Sequence, residues 1–129
     1  MGASGSIWVD KMCYGIGQVD YVGGFTTNGT TATIVHGKGY TVSRAAAGTF
    51  LVKVTTPFKT MLTSAADLVA PAAQGNTFTH PGFAVTGDLQ SDGQTFDIYT
   101  YNFAGTQGDP ASTVLIEFAI TLSNSLNTP

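Results

Sequence analysis

The chain has 129 residues, of which only 10% carry a full charge against about 25% in ordinary soluble domains, while 43% are apolar and 16 are glycine. A mean hydropathy of +0.15 with a net charge of −3 excludes intrinsic disorder. Five Lys plus Arg and a pI near 4.9 argue against a nucleic-acid partner, and no apolar run approaches the roughly 18 residues that span a bilayer, so no membrane partner is expected.

One domain with its own hydrophobic core is expected at this length. Cys13 stands alone, which leaves no intrachain disulfide and points to assembly in a reducing cytoplasm. Twenty threonines accompany Val, Ile, Phe and Tyr, the set that suits a pleated, half-buried surface. The fold class read from this is all-β, an antiparallel β-sandwich of about eight strands.

Residues 1–37 read as an extended N-terminal arm with the first strands, and residues 38–129 as the sandwich core. The arm lacks sustained periodicity and carries Trp8, Tyr14, Tyr21 and Phe25. Such aromatics are common interface anchors; they either dock on a neighbouring molecule or cap the sandwich of their own subunit. Asn28-Gly29 and Gly37-Lys38-Gly39 read as hairpin ends. Thr49–Thr55 alternates cleanly, with Phe50, Val52 and Val54 on one face. Residues 58–69 have helix-like spacing of Phe58, Met61, Leu62, Ala65, Ala66 and Val69, which predicts a turn or two of helix after Pro57.

Farther on, Ser91-Asp92-Gly93 marks a hairpin before the alternating run Thr95–Phe103. Gly105–Pro110 would then return the chain so that this run pairs with Ser112–Ser123. In that last run Val114, Ile116, Phe118, Ile120 and Leu122 share a face.

No motif for catalysis or cofactor binding emerges, and the expectation is a non-enzymatic protein. His36 and His80 read as strand-end and loop histidines, with a metal shared at an oligomer axis as the alternative. Gly37-Lys38-Gly39 lacks the earlier Gly, the following Ser or Thr and the helix that a phosphate loop needs. Asp88, Asp92 and Asp97 cluster around one hairpin, where Asp ordinarily bonds the turn backbone. A carboxylate pair for hydrolysis would instead face across a cleft. Cys13 has no neighbouring base. Asn28-Gly29-Thr30 is a glycosylation sequon, but Asn-Gly is also the commonest hairpin turn.

The ordered set Tyr40-Thr41-Val42-Ser43-Arg44-Ala45-Ala46-Ala47-Gly48-Thr49-Phe50-Leu51-Val52-Lys53-Val54, then Pro57-Phe58 and Met61-Leu62, resembles a motif of small virion proteins of tailed bacteriophages: a strand, an Arg-plus-small-residue turn ending in Gly, and a second strand. The later order of Phe96–Asn102, Asp109-Pro110-Ala111 and Val114–Asn124 is similar to their closing hairpin. The resemblance covers residues 39–124. It implies a jelly-roll-like sandwich that decorates or cements a capsid surface, commonly as a trimer, with the major capsid protein and copies of itself as partners and no cofactor. Low charge points the same way, because a surface so poor in charge has little to keep it apart from other proteins. On this reading Trp8, Tyr14, Tyr21 and Phe25 are the candidate oligomer or capsid contacts, and a tail-fibre or baseplate module for host glycan or protein is the alternative.

Overall fold

A computed structural model describes residues 17–71 and 82–124. They form eight strands: β1 (Gln18–Thr27), β2 (Ala32–His36), β3 (Tyr40–Ala46), β4 (Thr49–Val54), β5 (Thr60–Val69), β6 (Phe83–Thr86), β7 (Thr95–Tyr101) and β8 (Leu115–Ser123). These make two four-stranded sheets, sheet A in the order β2-β1-β8-β5 and sheet B in the order β3-β4-β7-β6. Every pairing is antiparallel. The protein is the expected β-sandwich.

Period-2 alternation builds the core. Phe50, Val52 and Val54 of β4, Phe96, Ile98 and Thr100 of β7, and Ile116 and Leu122 of β8 are fully buried, with Phe118 and Ile120 almost so. Burial of each large apolar side chain is worth about 1.5–3 kcal/mol. Rings lock the two sheets together: Phe25 of β1 meets Phe50 of β4 at 5.3 Å, Tyr40 of β3 meets Phe118 of β8 edge-on at 4.9 Å, and Phe96 of β7 meets Phe118 at 5.5 Å.

The winding keeps the β1–β2, β3–β4 and β6–β7 hairpins within one sheet and changes sheets at β2–β3, β4–β5, β5–β6 and β7–β8. A jelly roll alternates sheets at nearly every connection. Asn28-Gly29 and Ser91-Asp92-Gly93 lie in the β1–β2 and β6–β7 hairpin loops, as expected. Gly37-Lys38-Gly39 does not: it carries the chain from sheet A to sheet B.

Two pairings differ from the sequence reading. Gly105–Pro110 does not fold β7 onto β8. β7 lies between β4 and β6, and β8 between β1 and β5. The segment instead folds back on the end of sheet B, where Gly108 N donates to Thr100 O at 3.1 Å, Thr100 Oγ1 donates to Gly108 O at 2.7 Å, and Gln107 Nε2 donates to Gly48 O and Thr49 Oγ1. Residues 60–69 are strand rather than helix. A register shift between Met61 and Thr63 lets Met61 and then Ser64, Ala66 and Leu68 stand opposite inward residues of β8. That bulge breaks the alternation and leaves a spacing that resembles a helix, while pairing with the long strand β8 overrides a weak helical preference.

β1 falls in the segment read as an arm with the first strands, and it is integral to the sandwich. It is an inner strand of sheet A, hydrogen-bonded to both β2 and β8. Its inward positions are Val19, Tyr21, Gly23 and Phe25, opposite Leu122, Ile120, Phe118 and Ile116. Gly23 interrupts the apolar alternation because the Tyr40 ring lies against it: a Cβ there would sit 2.5 Å from Tyr40 Cε1.

Candidate functional site

The proposed aromatic contacts divide in three ways. Trp8 and Tyr14 lie outside the described residues, as do Cys13 and His80. Phe25 is fully buried against Phe50, so its ring is part of its own subunit's core and unavailable to a neighbour. Tyr21 faces inward, half-buried, and meets Phe58 edge-on at 6.1 Å. Inward register on an inner strand directs both side chains between the sheets of their own subunit.

Of the exposed apolar side chains, Val19 and Ile34 stand at inward positions of sheet A and Phe103 follows β7 in the β7–β8 connection, whereas others lie on the outer faces. On sheet B, Phe83 and Val85 of β6 are 45% and 43% exposed. Phe83 stacks on Tyr101 of β7, centroids 5.0 Å apart and rings 14° from parallel, and Val85 stands opposite Tyr99. The Tyr99 hydroxyl donates to Asp97 Oδ2 at 2.7 Å, and Gln90 Nε2 donates to Asp97 Oδ1 at 2.9 Å. The hydrogen bond to the carboxylate, with its charge nearby, raises the Tyr99 pKa above the usual phenol value. An aromatic pair thus borders a Tyr-Asp-Gln cluster. Alternation within Phe83-Ala84-Val85-Thr86 would assign the larger pair inward, and here it does not. The inner side of β6 lies close to β5, where Thr86 Oγ1 donates to Ser64 Oγ at 2.6 Å, and small residues fill that gap.

On the outer face of sheet A, Val22 is 58% exposed. It borders a shallow depression of about 180 Å³ lined by Val22, Ala65, Ala66, Asp67, Glu117, Phe118 and Ala119. His36, across β1, reaches Glu117 with Nε2 3.1 Å from Oε2. A second depression, about 310 Å³, lies between β5 and the end of β6 and has Asp88 as its single carboxylate.

The remaining polar motifs hold the fold. Asp92 accepts from Thr95 Oγ1 at 2.6 Å and from the Gln94 and Thr95 backbone N–H groups at 2.9 Å, which lowers its pKa to about 2. Asn28 Oδ1 likewise accepts from Thr30 N and Thr31 N, closing the β1–β2 turn. The two halves of the ordered sequence motif meet: Asp109 accepts from Arg44 Nε through Oδ2 and from Gly48 N through Oδ1, both at 2.8 Å. Gly48 itself has a φ of +76° and no room for a Cβ, which would lie 2.7 Å from Gly108 N. The Arg turn and the Asp-Pro-Ala segment therefore form one clamp that ties the β3–β4 turn to the β7–β8 connection. Among the described residues no three His, Cys, Asp or Glu side chains converge as a metal site would require.

Comparison with protein-family models, with curated proteins and with solved structures finds no match to this chain.

Proposed function

We propose that this chain is a non-enzymatic structural protein of a tailed bacteriophage that binds the outside of the capsid and stabilises it by bridging shell subunits, with the major capsid protein and copies of itself, as a trimer, for partners. The observation that carries this reading is the placement of exposed apolar side chains on the outer faces of both sheets: Phe83 and Val85 on one, Val22 on the other. A domain with two adhesive faces and few charges is suited to lying between other subunits. The resemblance of the ordered motif to small virion proteins supports the same reading from the sequence side.

The mechanism is mass action. A protein that binds only the assembled shell stabilises it by RT ln(1 + [L]/Kd), about 2.7 kcal/mol at a hundredfold excess over Kd. Trimerisation adds avidity by holding three sites near three subunits. The test is co-sedimentation of the purified protein with undecorated shells of the phage that encodes it, with shell melting as a second readout. Saturable binding and a raised melting temperature are expected, and protein left in the supernatant with unchanged melting contradicts the proposal. The Tyr99-Asp97-Gln90 cluster beside the Phe83–Tyr101 stack favours one second reading, a tail-fibre or baseplate module that grips a host glycan or protein. Binding on a glycan array distinguishes it.

A further inference from the structure

The outer face of sheet A has a shape and a charge that name the chemistry of its partner. Its row of small side chains, Val22 on β1, Ala119 on β8 and Ala65 on β5, runs across the sheet in register. On one side stands a row with Glu117 and Asp67, directly opposite each other on β8 and β5; on the other stands a row with Asp20, whose carboxylate accepts from Thr121 Oγ1 at 2.7 Å. The result is a trough with an apolar floor and acidic rims. Its volume of about 180 Å³ is below the roughly 300–1,000 Å³ of small-molecule pockets and fits a single inserted side chain.

Charge segregates with the trough. The four strands of sheet A contain three carboxylates, Asp20, Asp67 and Glu117, and neither Lys nor Arg. Like charges placed directly opposite on paired strands oppose sheet formation, so the Glu117–Asp67 pairing works against stability of the isolated sheet; His36 engages Glu117 from the β2 side, Nε2 3.1 Å from Oε2, and a cation between the two carboxylates would relieve the pairing further. Local rules of this kind are broken chiefly at functional surfaces. We infer that this face docks a protein partner that lays the aliphatic stem of an Arg or Lys side chain along Ala65 and Ala119, with its cationic head between Glu117 and Asp67. The inference rests on the reading that the chain docks on another protein, and it adds that the contacting patch of that protein is basic.

The test follows the methyl resonances of Val22, Ala65 and Ala119 by NMR at low ionic strength, with the peptide Gly-Gly-Arg-Gly-Gly as probe and its citrulline counterpart as control. Expected are saturable shifts confined to these methyls with the Arg peptide, binding weakened about threefold by either Glu117→Gln or Asp67→Asn, and loss of the shifts when Ala119→Leu fills the trough. Equal shifts with the citrulline peptide, no shifts at all, or shifts unaltered in Ala119→Leu overturn the inference. So does concentration-dependent broadening of the same methyls without peptide, which places a second copy there instead. Sedimentation with shells separates this from the capsid reading. If the Arg peptide binds but shells do not, the capsid reading fails alone; if shells bind the wild type and all three variants equally, the trough inference fails alone.

Discussion

Replacement of Gly23 by Ala tests how tightly the two sheets are joined. The new Cβ would lie 2.5 Å from Cε1 and 2.6 Å from Cζ and the hydroxyl oxygen of Tyr40, far inside van der Waals contact, so the ring must move. It has little freedom to do so: its hydroxyl accepts from Gly24 N at 3.1 Å, donates toward His36 O at 2.8 Å or Gly24 O at 3.2 Å, and its ring edge abuts Phe118. Burial raises the Tyr40 pKa, with the Gly24 backbone bond acting in the opposite direction. Overpacking costs about 1–3 kcal/mol, and loss of the hydroxyl's bonds about 0.5–1.5 kcal/mol each. Ala's better strand conformation returns about 0.5–1 kcal/mol. The net expectation for Gly23→Ala is destabilisation by about 2–3 kcal/mol, read in urea as a midpoint about 1 M lower at unchanged slope. In a Tyr40→Leu background the same substitution should cost under about 1 kcal/mol, a coupling that locates the effect at this contact. Gly108→Ala, where a Cβ meets nothing within 4 Å, is the control and should be neutral. A neutral or stabilising Gly23→Ala refutes the reasoning.

Asp109→Ala removes two charge-assisted bonds and leaves the largely buried Arg44 unpaired; a loss of about 2–3 kcal/mol in urea unfolding is expected, and a change within about 0.5 kcal/mol contradicts the clamp. The Asp92 carboxylate has its pKa lowered from 3.8 to about 2 in the folded protein. Its contribution to stability is therefore complete above the unfolded value and is lost as pH falls from about 4 through 2. The Asp92→Asn variant should show a flatter dependence of the urea midpoint in that window than the wild type, and identical pH profiles count against the turn cap. Phe83→Ser should change stability by no more than about 1 kcal/mol, since the ring is 45% exposed and loses mainly its stack on Tyr101. It should nevertheless weaken binding to shells, and undiminished binding removes Phe83 from the contact.

Strands were legible wherever alternation ran unbroken on strands with one face in the core, as in Phe50-Val52-Val54, Phe96-Ile98 and Ile116 through Leu122. It failed where a tertiary contact rewrote the local pattern. The bulge after Met61 gave β5 a helical spacing, and the Tyr40 ring placed Gly23 at an inward position of β1, so an inner strand read as part of an arm. Strand partners were less legible than strands: nothing local to Gly105–Pro110 distinguishes a hairpin from a sheet crossing, and the decision rests on Gln107 and Thr100 bonding to residues around Gly48 and Gly108. The exposed surface was least legible. Phe25 carried the composition of an anchor yet lies in the core, whereas Phe83 and Val85 face outward because β5 crowds the inner side of β6. The acidic face of sheet A was written in four separate strands, and only their pairing brings Asp67 opposite Glu117.

Electron microscopy of the phage particle, with the protein present and absent, tests the central proposal most directly. The account predicts added density on the outer capsid surface that spans neighbouring shell subunits and disappears when the protein is omitted. Density at the tail or baseplate, or particles identical with and without the protein, would contradict it.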